Sequence, residues 1–182
     1  MDNETIAAIS TPVMGSGGIS IIRISGNDAI EVADRIFVSP SGEKLVSVAS
    51  HTIHYGHVVS FSGDKEYDKV PGDEKRPGVI DEVLVSVMKG PRTFTAEDTV
   101  EINCHGGMLV TKMILKEVLN AGAVLARPGE FTKRAFLNGR IDLSEAEAVI
   151  DVINAKNEYS LKASVNQLSG AISSRIRKMI PR

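Results

Sequence analysis

Three stretches hold residues whose types and spacing could do chemistry. In Thr11–Gly26 (TPVMGSGGISIIRISG) a group of glycines runs into a β-branched segment that contains Arg23. Glycine lets a backbone turn sharply or approach a ligand closely. These glycines precede a strand instead of opening a helix, so they are not a dinucleotide fingerprint. Arg23 stands in an otherwise apolar run. By strand alternation it shares a face with Ile19 and Ile21, while Ser20, Ile22 and Ile24 take the other. A guanidinium in such a place needs an anionic or acceptor partner. That partner is either a carboxylate of the chain or a ligand.

The second stretch is Pro91–Gly107 (PRTFTAEDTVEINCHGG), with Glu101 between Val100 and Ile102. A fixed carboxylate suits paired N–H donors such as those of a pterin ring. The other reading is an exposed carboxylate on the polar face of a half-buried strand. Gly106-Gly107 either offers N–H groups to an anion at a helix start or makes a tight turn. The third stretch is Arg127–Ala148, which gathers Arg127, Lys133, Arg134 and Arg140 within 14 positions. These cations suit a glutamate tail or a phosphate. Equally, they form a solvated helix face beside Glu130, Asp142 and Glu145.

Other groups carry less. His51, His54 and His57 would alternate across a strand, and Cys104 and His105 diverge as neighbours, so no metal site is expected. No G-x-x-x-x-G-K-[ST] occurs, which excludes a P-loop within this chain. No nucleophile–base pair follows from spacing.

The elements that must position these residues are read from periodicity. Thr5–Ser10, Gly18–Ser25, Thr52–Phe61, Val79–Met88 and Thr99–Cys104 predict strands, with a short one at Ala123–Ala126. Asn27–Phe37 predicts a helix with Ile30, Val32, Ala33 and Ile36 inward and Ser25 or Asn27 as its cap. Met108–Asn120 predicts another, its stripe Leu109, Met113, Leu115, Val118 and Leu119, ending at Gly122. Pro128 is expected in the first turn of a short helix through Arg134 to Leu137. Ser62–Gly78, nearly free of apolar residues, predicts a long exposed connection.

The character changes after Asn138-Gly139. From Asp142 onward only helical signals remain. Asp142 with Glu145, or Ser144 with Glu147, fits a capping box, and a break is expected near Ala155–Asn157. Val149, Val152 and Ile153 form one stripe; Leu161, Val165, Leu168, Ile172, Ile176 and Met179 form another. Little helical sequence is left to cover them, so a fragment of a longer protein is expected. The basic end, Arg175, Arg177, Lys178 and Arg182, reads as a helix C-terminus complementing its dipole.

Composition bounds the function classes. The 182 residues are 42% hydrophobic and 24% charged, an ordinary globular balance that excludes a disordered or collagen-like chain. A chain of this length buries roughly 70% of its unfolded surface, enough for a core without staples. With 21 Lys and Arg against 23 Asp and Glu, the net charge of -2 argues against a surface devoted wholly to nucleic acid. One cysteine allows no intrachain disulfide. No secretory signal or membrane span is predicted, so a cytoplasmic protein is expected.

Taken together, ISTP…GSGGISIIRISG, PRTFTAEDTVEINCHGG and RPGEFTKRAFLNGRIDLSEAEAVIDVI resemble the N-terminal part of the MnmE (TrmE) family of bacterial tRNA-modification GTPases. The resemblance covers essentially the whole chain, in family order and spacing, with Ser62–Gly78 as an insertion. It implies an α+β fold: a folate-binding and dimerisation domain over 1–138, similar to the glycine-cleavage T protein, with a mixed sheet plus helices. Residues 139–182 would then be the first helices of a truncated all-α domain. The family's folate contacts fall on Arg23, Glu101 and Arg140, the last being Lys or Arg in the family. The implied ligand is 5-formyltetrahydrofolate, and the implied assembly is a homodimer.

For the whole protein the resemblance implies a hydrolase that acts with an FAD-dependent partner, MnmG (GidA), on C5 of the wobble uridine of tRNA. The folate would supply the one-carbon unit. GTP hydrolysis, with its potassium and magnesium, would belong to a G domain absent here, so this chain is expected to hydrolyse no GTP. Cys104 does not match the family's C-terminal cysteine. Two alternatives stand beside this reading: a stand-alone folate-dependent aminomethyl or formyl transferase, and a dimerisation domain with an unused folate pocket. The helical continuation after Asp142 argues against the first. The joint presence of Arg23, Glu101 and Arg140 argues against the second.

Overall fold

The computed structural model describes residues 4–12, 17–61 and 78–170. The Ser62–Gly78 connection (apart from Gly78), the stripe beyond Leu168 and the basic end therefore lie outside the described residues. The chain divides into two compact units, residues 1–93 with 97–127, and residues 94–96 with 128–182. The division thus falls ahead of the Asn138-Gly139 change of character.

The first unit is a seven-stranded sheet with two helices, a mixed α/β arrangement. Its elements run β1 (Ile6–Ile9), β2 (Ile19–Ser25), α1 (Ala29–Ile36), β3 (Phe37–Val38), a 3-10 turn at Leu45–Ser47, β4 (Thr52–Val59), β5 (Val79–Met88), β6 (Thr99–His105), α2 (Met108–Asn120) and β7 (Val124–Leu125). The strand order is β3-β4-β5-β6-β2-β1-β7. All neighbours are antiparallel except β1 and β7. Antiparallel sheets tolerate one open face, and this sheet is strongly two-sided. Ile22 and Ile24, Val83, Val85 and Val87, and Val100, Ile102 and Cys104 are buried on one face. Against them pack Val32, Ala33 and Ile36 of α1 and Ile114 and Val118 of α2. Each fully buried Ile or Val contributes about 1.5–3 kcal/mol.

Alternation placed the β2 side chains as expected: Ile22 and Ile24 are inside, and Arg23 stands on the other face. The α1 stripe is also as expected. The α2 stripe is so only in part: Val118 is buried and Leu115 and Leu119 pack against the core. Leu109 is exposed, and the buried residues are Thr111, Ile114, Glu117 and Val118. A polar residue takes a core position because the Glu117 carboxylate accepts the Phe61 N–H at 2.7 Å. Pattern counting of apolar residues alone misses that turn of the helix. The cap of α1 differs too: its N-cap is Asp28, without a side-chain cap bond, and Thr5 Oγ1 of the preceding segment accepts the Asp28 N–H at 3.1 Å.

The second unit contains α3 (Glu130–Leu137), α4 (Leu143–Asn154) and α5 (Glu158–Leu168). Pro128 does not open α3; Gly129 is its N-cap, with φ of 75° in the left-handed region. Asp142 and Glu145 form the capping box of α4, and Asn157 caps α5 through the Ser160 N–H. Both helices leave apolar side chains open, among them Ile150, Ile153, Leu161 and Val165. None of the helices among the described residues is long and apolar enough to cross a membrane.

Candidate functional site

The candidate site begins as a strand register. Arg23 of β2 lies directly opposite Glu101 of β6, which in turn lies opposite Ser86 of β5. On the other side Arg23 faces Ala8 of β1. Directly opposed residues on one sheet face are within side-chain reach. Glu101 Oε1 accepts hydrogen bonds from Arg23 Nε at 2.8 Å and Nη2 at 2.6 Å. The two residues predicted separately as ligand groups are thus each other's partner, 78 positions apart in sequence. Both side chains remain partly open to solvent, 31% and 22%. Glu101 Oε2 carries no hydrogen bond among the described residues.

The next rung along the same face holds Ile21, Asn103, Leu84 and Tyr55. Asn103 Nδ2 donates to the Leu84 carbonyl at 3.1 Å, which leaves its amide oxygen open. One rung further stand Ile19 and His105. His105 is fastened to Asp81 twice: its backbone N–H donates to Oδ2 at 2.8 Å, and Nδ1 lies 2.7 Å from Oδ1. The adjacent carboxylate raises the imidazole above its ordinary value. Glu82 beside Tyr55 likewise raises the phenol. Burial raises the Cys104 thiol, which belongs to the core cluster.

The glycines at the mouth of β2 serve a close approach. The Gly106 N–H donates to Gly18 at 3.3 Å, and a Cβ on Gly106 would collide with the Gly17 backbone. No polar atom of a ligand is needed to explain this pair. The loop between β5 and β6 closes over the other end of the same face. Ser25 Oγ donates to Glu97 at 2.8 Å, and Thr93 Oγ1 donates to the Glu97 carbonyl at 2.7 Å.

Arg140 lies in the second unit. The chain leaves α3 through a Schellman closure: the Gly139 N–H donates to Phe136 at 3.0 Å and the Arg140 N–H to Ala135 at 2.8 Å. Gly139 adopts φ of 70°, as this closure requires. Asn138 Nδ2 donates to the Thr95 carbonyl at 2.7 Å and pins the turn. The Arg140 backbone is therefore fixed while its side chain is exposed. Of the other cations, Arg134 is buried, 3.8 Å from Glu130, and Lys133 is exposed. The histidines do not converge: His54 lies near Glu43 at 3.5 Å, and His57 meets the Tyr55 ring edge-on at 5.9 Å. Among the described residues no group of three or more His, Cys, Asp or Glu could hold a metal ion.

Sequence reasoning missed Ser86, Asn103 and Tyr55 on this face. Only the strand register, which spacing does not encode, brings them beside Arg23 and Glu101.

Similarity to known proteins agrees with the motifs. A family model described as "GTP-binding protein TrmE N-terminus" matches residues 5–140. The chain is 55% identical to a tRNA modification GTPase MnmE of Geobacillus kaustophilus, over 97% of this chain and 35% of the relative. It is 53% identical to that of Bacillus subtilis over the same shares, and 52% identical to that of Lactobacillus johnsonii over 97% and 34%. The chain spans about a third of the length of these relatives. With most of its length matched by the model, the chain belongs to the family of the GTP-binding protein TrmE N-terminus.

Proposed function

We propose that this chain is the tetrahydrofolate-binding and dimerisation part of a GTPase that modifies C5 of the wobble uridine in tRNA. Its ligand is 5-formyltetrahydrofolate, bound through Arg23, Glu101 and Arg140, and it pairs as a homodimer. GTP hydrolysis, with potassium and magnesium, belongs to the G domain of the whole protein. That protein works in the cytoplasm with the FAD-dependent partner MnmG. The fold of the first unit is then that of the glycine-cleavage T protein, and α4 and α5 begin the helical domain. Family membership and the relatives' names support the tRNA-modifying part of this reading.

The observation that carries the folate part is the Arg23–Glu101 pair on an open sheet face. One carboxylate oxygen is held by the guanidinium, and the other is left to accept. A carboxylate oxygen has two acceptor sites, so Oε2 suits the N–H groups along the edge of a pterin ring. Since the two side chains touch, they must act at the same end of a ligand. Arg23 then orients Glu101, and charge assistance strengthens the bonds that Glu101 accepts. Arg140 enters on the resemblance alone, as a cation for the ligand's anionic groups.

The test is a calorimetric titration of the chain with 5-formyltetrahydrofolate, wild type beside Arg23→Ala and Arg140→Ala. Saturable binding that each substitution weakens at least tenfold supports the reading. A folded wild type that binds nothing sinks it.

A further inference from the structure

The boundary between the two units crosses the β5–β6 connection twice. Its tip, Phe94–Ala96, belongs to the helical unit, while Thr93 and Glu97 on either side belong to the sheet unit. The neck is stapled: Thr93 Oγ1 donates to the Glu97 carbonyl at 2.7 Å. Below the neck the connection is bound to the sheet unit at several points. Glu97 Oε2 accepts the Ser25 hydroxyl at 2.8 Å, and the Gly26 N–H donates to the Asp98 carbonyl at 3.0 Å. Asp98 Oδ1 in turn accepts the Gly90 N–H at 2.8 Å. The tip is held in its own unit as well. Thr95 is fully buried, and its carbonyl accepts Asn138 Nδ2 at 2.7 Å. Ala96 adopts φ of 61°. A β-carbon disfavours that left-handed conformation, so the tip keeps a shape that its surroundings impose.

Each anchor stands close in sequence to a residue of the candidate site. Ser25 is two positions from Arg23, and Glu97 leads through Asp98 into β6, whose first residue Thr99 is two positions before Glu101. Asn138 is the C-cap of α3, two positions before Arg140. We propose that the β5–β6 connection is a strap that carries movement of the helical unit to the Arg23–Glu101 rung. A tip tied to the α3 turn follows that turn, and a stapled neck passes the displacement onward instead of stretching. It arrives at Glu97 and Ser25, where β2 and β6 pair with Ser25 opposite Thr99. By strand alternation the pair of Arg23 and Glu101 is the next on that face. Coupling through local opening is reciprocal, so loosening either end loosens the other. The strap does not depend on which ligand the rung binds.

The test is amide hydrogen exchange, read by mass spectrometry, on wild type, Asn138→Asp, Ser25→Ala and Asn157→Ala. Asn138→Asp keeps the shape of an exposed side chain and removes its donor, so the variant should fold. Ser25→Ala cuts the strap at its other end. Asn157→Ala removes the cap of α5 and leaves the strap intact, which makes it the control. Asn138→Asp should speed exchange over Ile24–Gly26 and Asp98–Glu101 about tenfold, the scale of one lost hydrogen bond. Ser25→Ala should do the same to Gly139 and Arg140, whose N–H groups close the α3 turn. Asn157→Ala should leave both regions at wild-type rates. Changes confined to the unit that carries the substitution would overturn the proposal. So would a rise spread evenly over β4 and α4, which is general loosening, or an Asn157→Ala that matches Asn138→Asp at Asp98–Glu101.

Discussion

Arg23 and Glu101 face each other across adjacent antiparallel strands, and two guanidinium nitrogens bind the same carboxylate oxygen at 2.8 and 2.6 Å. One oxygen of Glu101 is committed, and the other is open on a face that continues into an apolar cavity. The pair is therefore a fixed carboxylate with one oxygen open to a donor. Its own contribution to folding is small, because a partly exposed ion pair contributes about 0–1 kcal/mol. Arg23→Ala is expected to leave the melting temperature within a few degrees of wild type while ligand binding falls. Thermal denaturation beside the titration separates the two effects.

Gly106→Ala should destabilise the first unit. The new methyl would strike the backbone of Gly17, which cannot yield as a flexible side chain would. Overpacking of this kind costs about 1–3 kcal/mol. Chemical denaturation should show a lower midpoint with little change in slope. An unchanged midpoint would mean that the Gly17–Gly106 approach is not rigid.

Glu117 tests the polar core position of α2. Its carboxylate is 4% exposed and accepts the Phe61 N–H. Glu117→Ala removes that acceptor and should cost about 1–3 kcal/mol. Glu117→Gln keeps a carbonyl acceptor and should cost less. Urea denaturation of the two variants checks the order.

The His105–Asp81 contact predicts a pH dependence with a definite sign. Asp81 raises the imidazole above its ordinary value of 6.5 in the folded chain. The folded state then holds this proton more tightly than the unfolded one. The stabilisation is complete below about pH 6.5, the unfolded value. It fades as pH rises through the folded value. Asp81→Asn should remove it. A proton NMR titration of the His105 ring should show an upward shift in wild type that is absent in the variant.

The capping box of α4 is a local test of the second unit. Asp142 accepts the Glu145 N–H at 2.9 Å, and Glu145 accepts the Asp142 N–H at 2.7 Å. Asp142→Ala should cost about 1 kcal/mol. Helical ellipticity and the melting curve of the chain report it.

Much of this architecture was legible locally. Alternation in ISIIRIS placed Arg23 opposite to Ile22 and Ile24, and the Asp142–Glu145 and Asn157 caps lay where side-chain chemistry put them. The failures share a cause, which is partners distant in sequence. The start of the first helix is tied to Thr5 through the Asp28 N–H, and Glu117 is drawn inward by Phe61. Phe37–Val38 becomes a strand only because Val58 and His57 lie beside it. For the site, residue types singled out Arg23 and Glu101, but not that they bind each other. Nor could spacing reveal Asn103, Leu84 and Tyr55 as one row, since register across β2, β6, β5 and β4 is a property of the assembled sheet.

The central claim is that Arg23 and Glu101 bind folate as one unit. A calorimetric double-mutant cycle measures it: wild type, Arg23→Ala, Glu101→Ala and the double variant, each titrated with 5-formyltetrahydrofolate. If the pair acts as a unit, either single substitution loses nearly as much affinity as both together, so the losses are strongly non-additive. Affinities that are equal in all four proteins, or losses that simply add, would contradict the account.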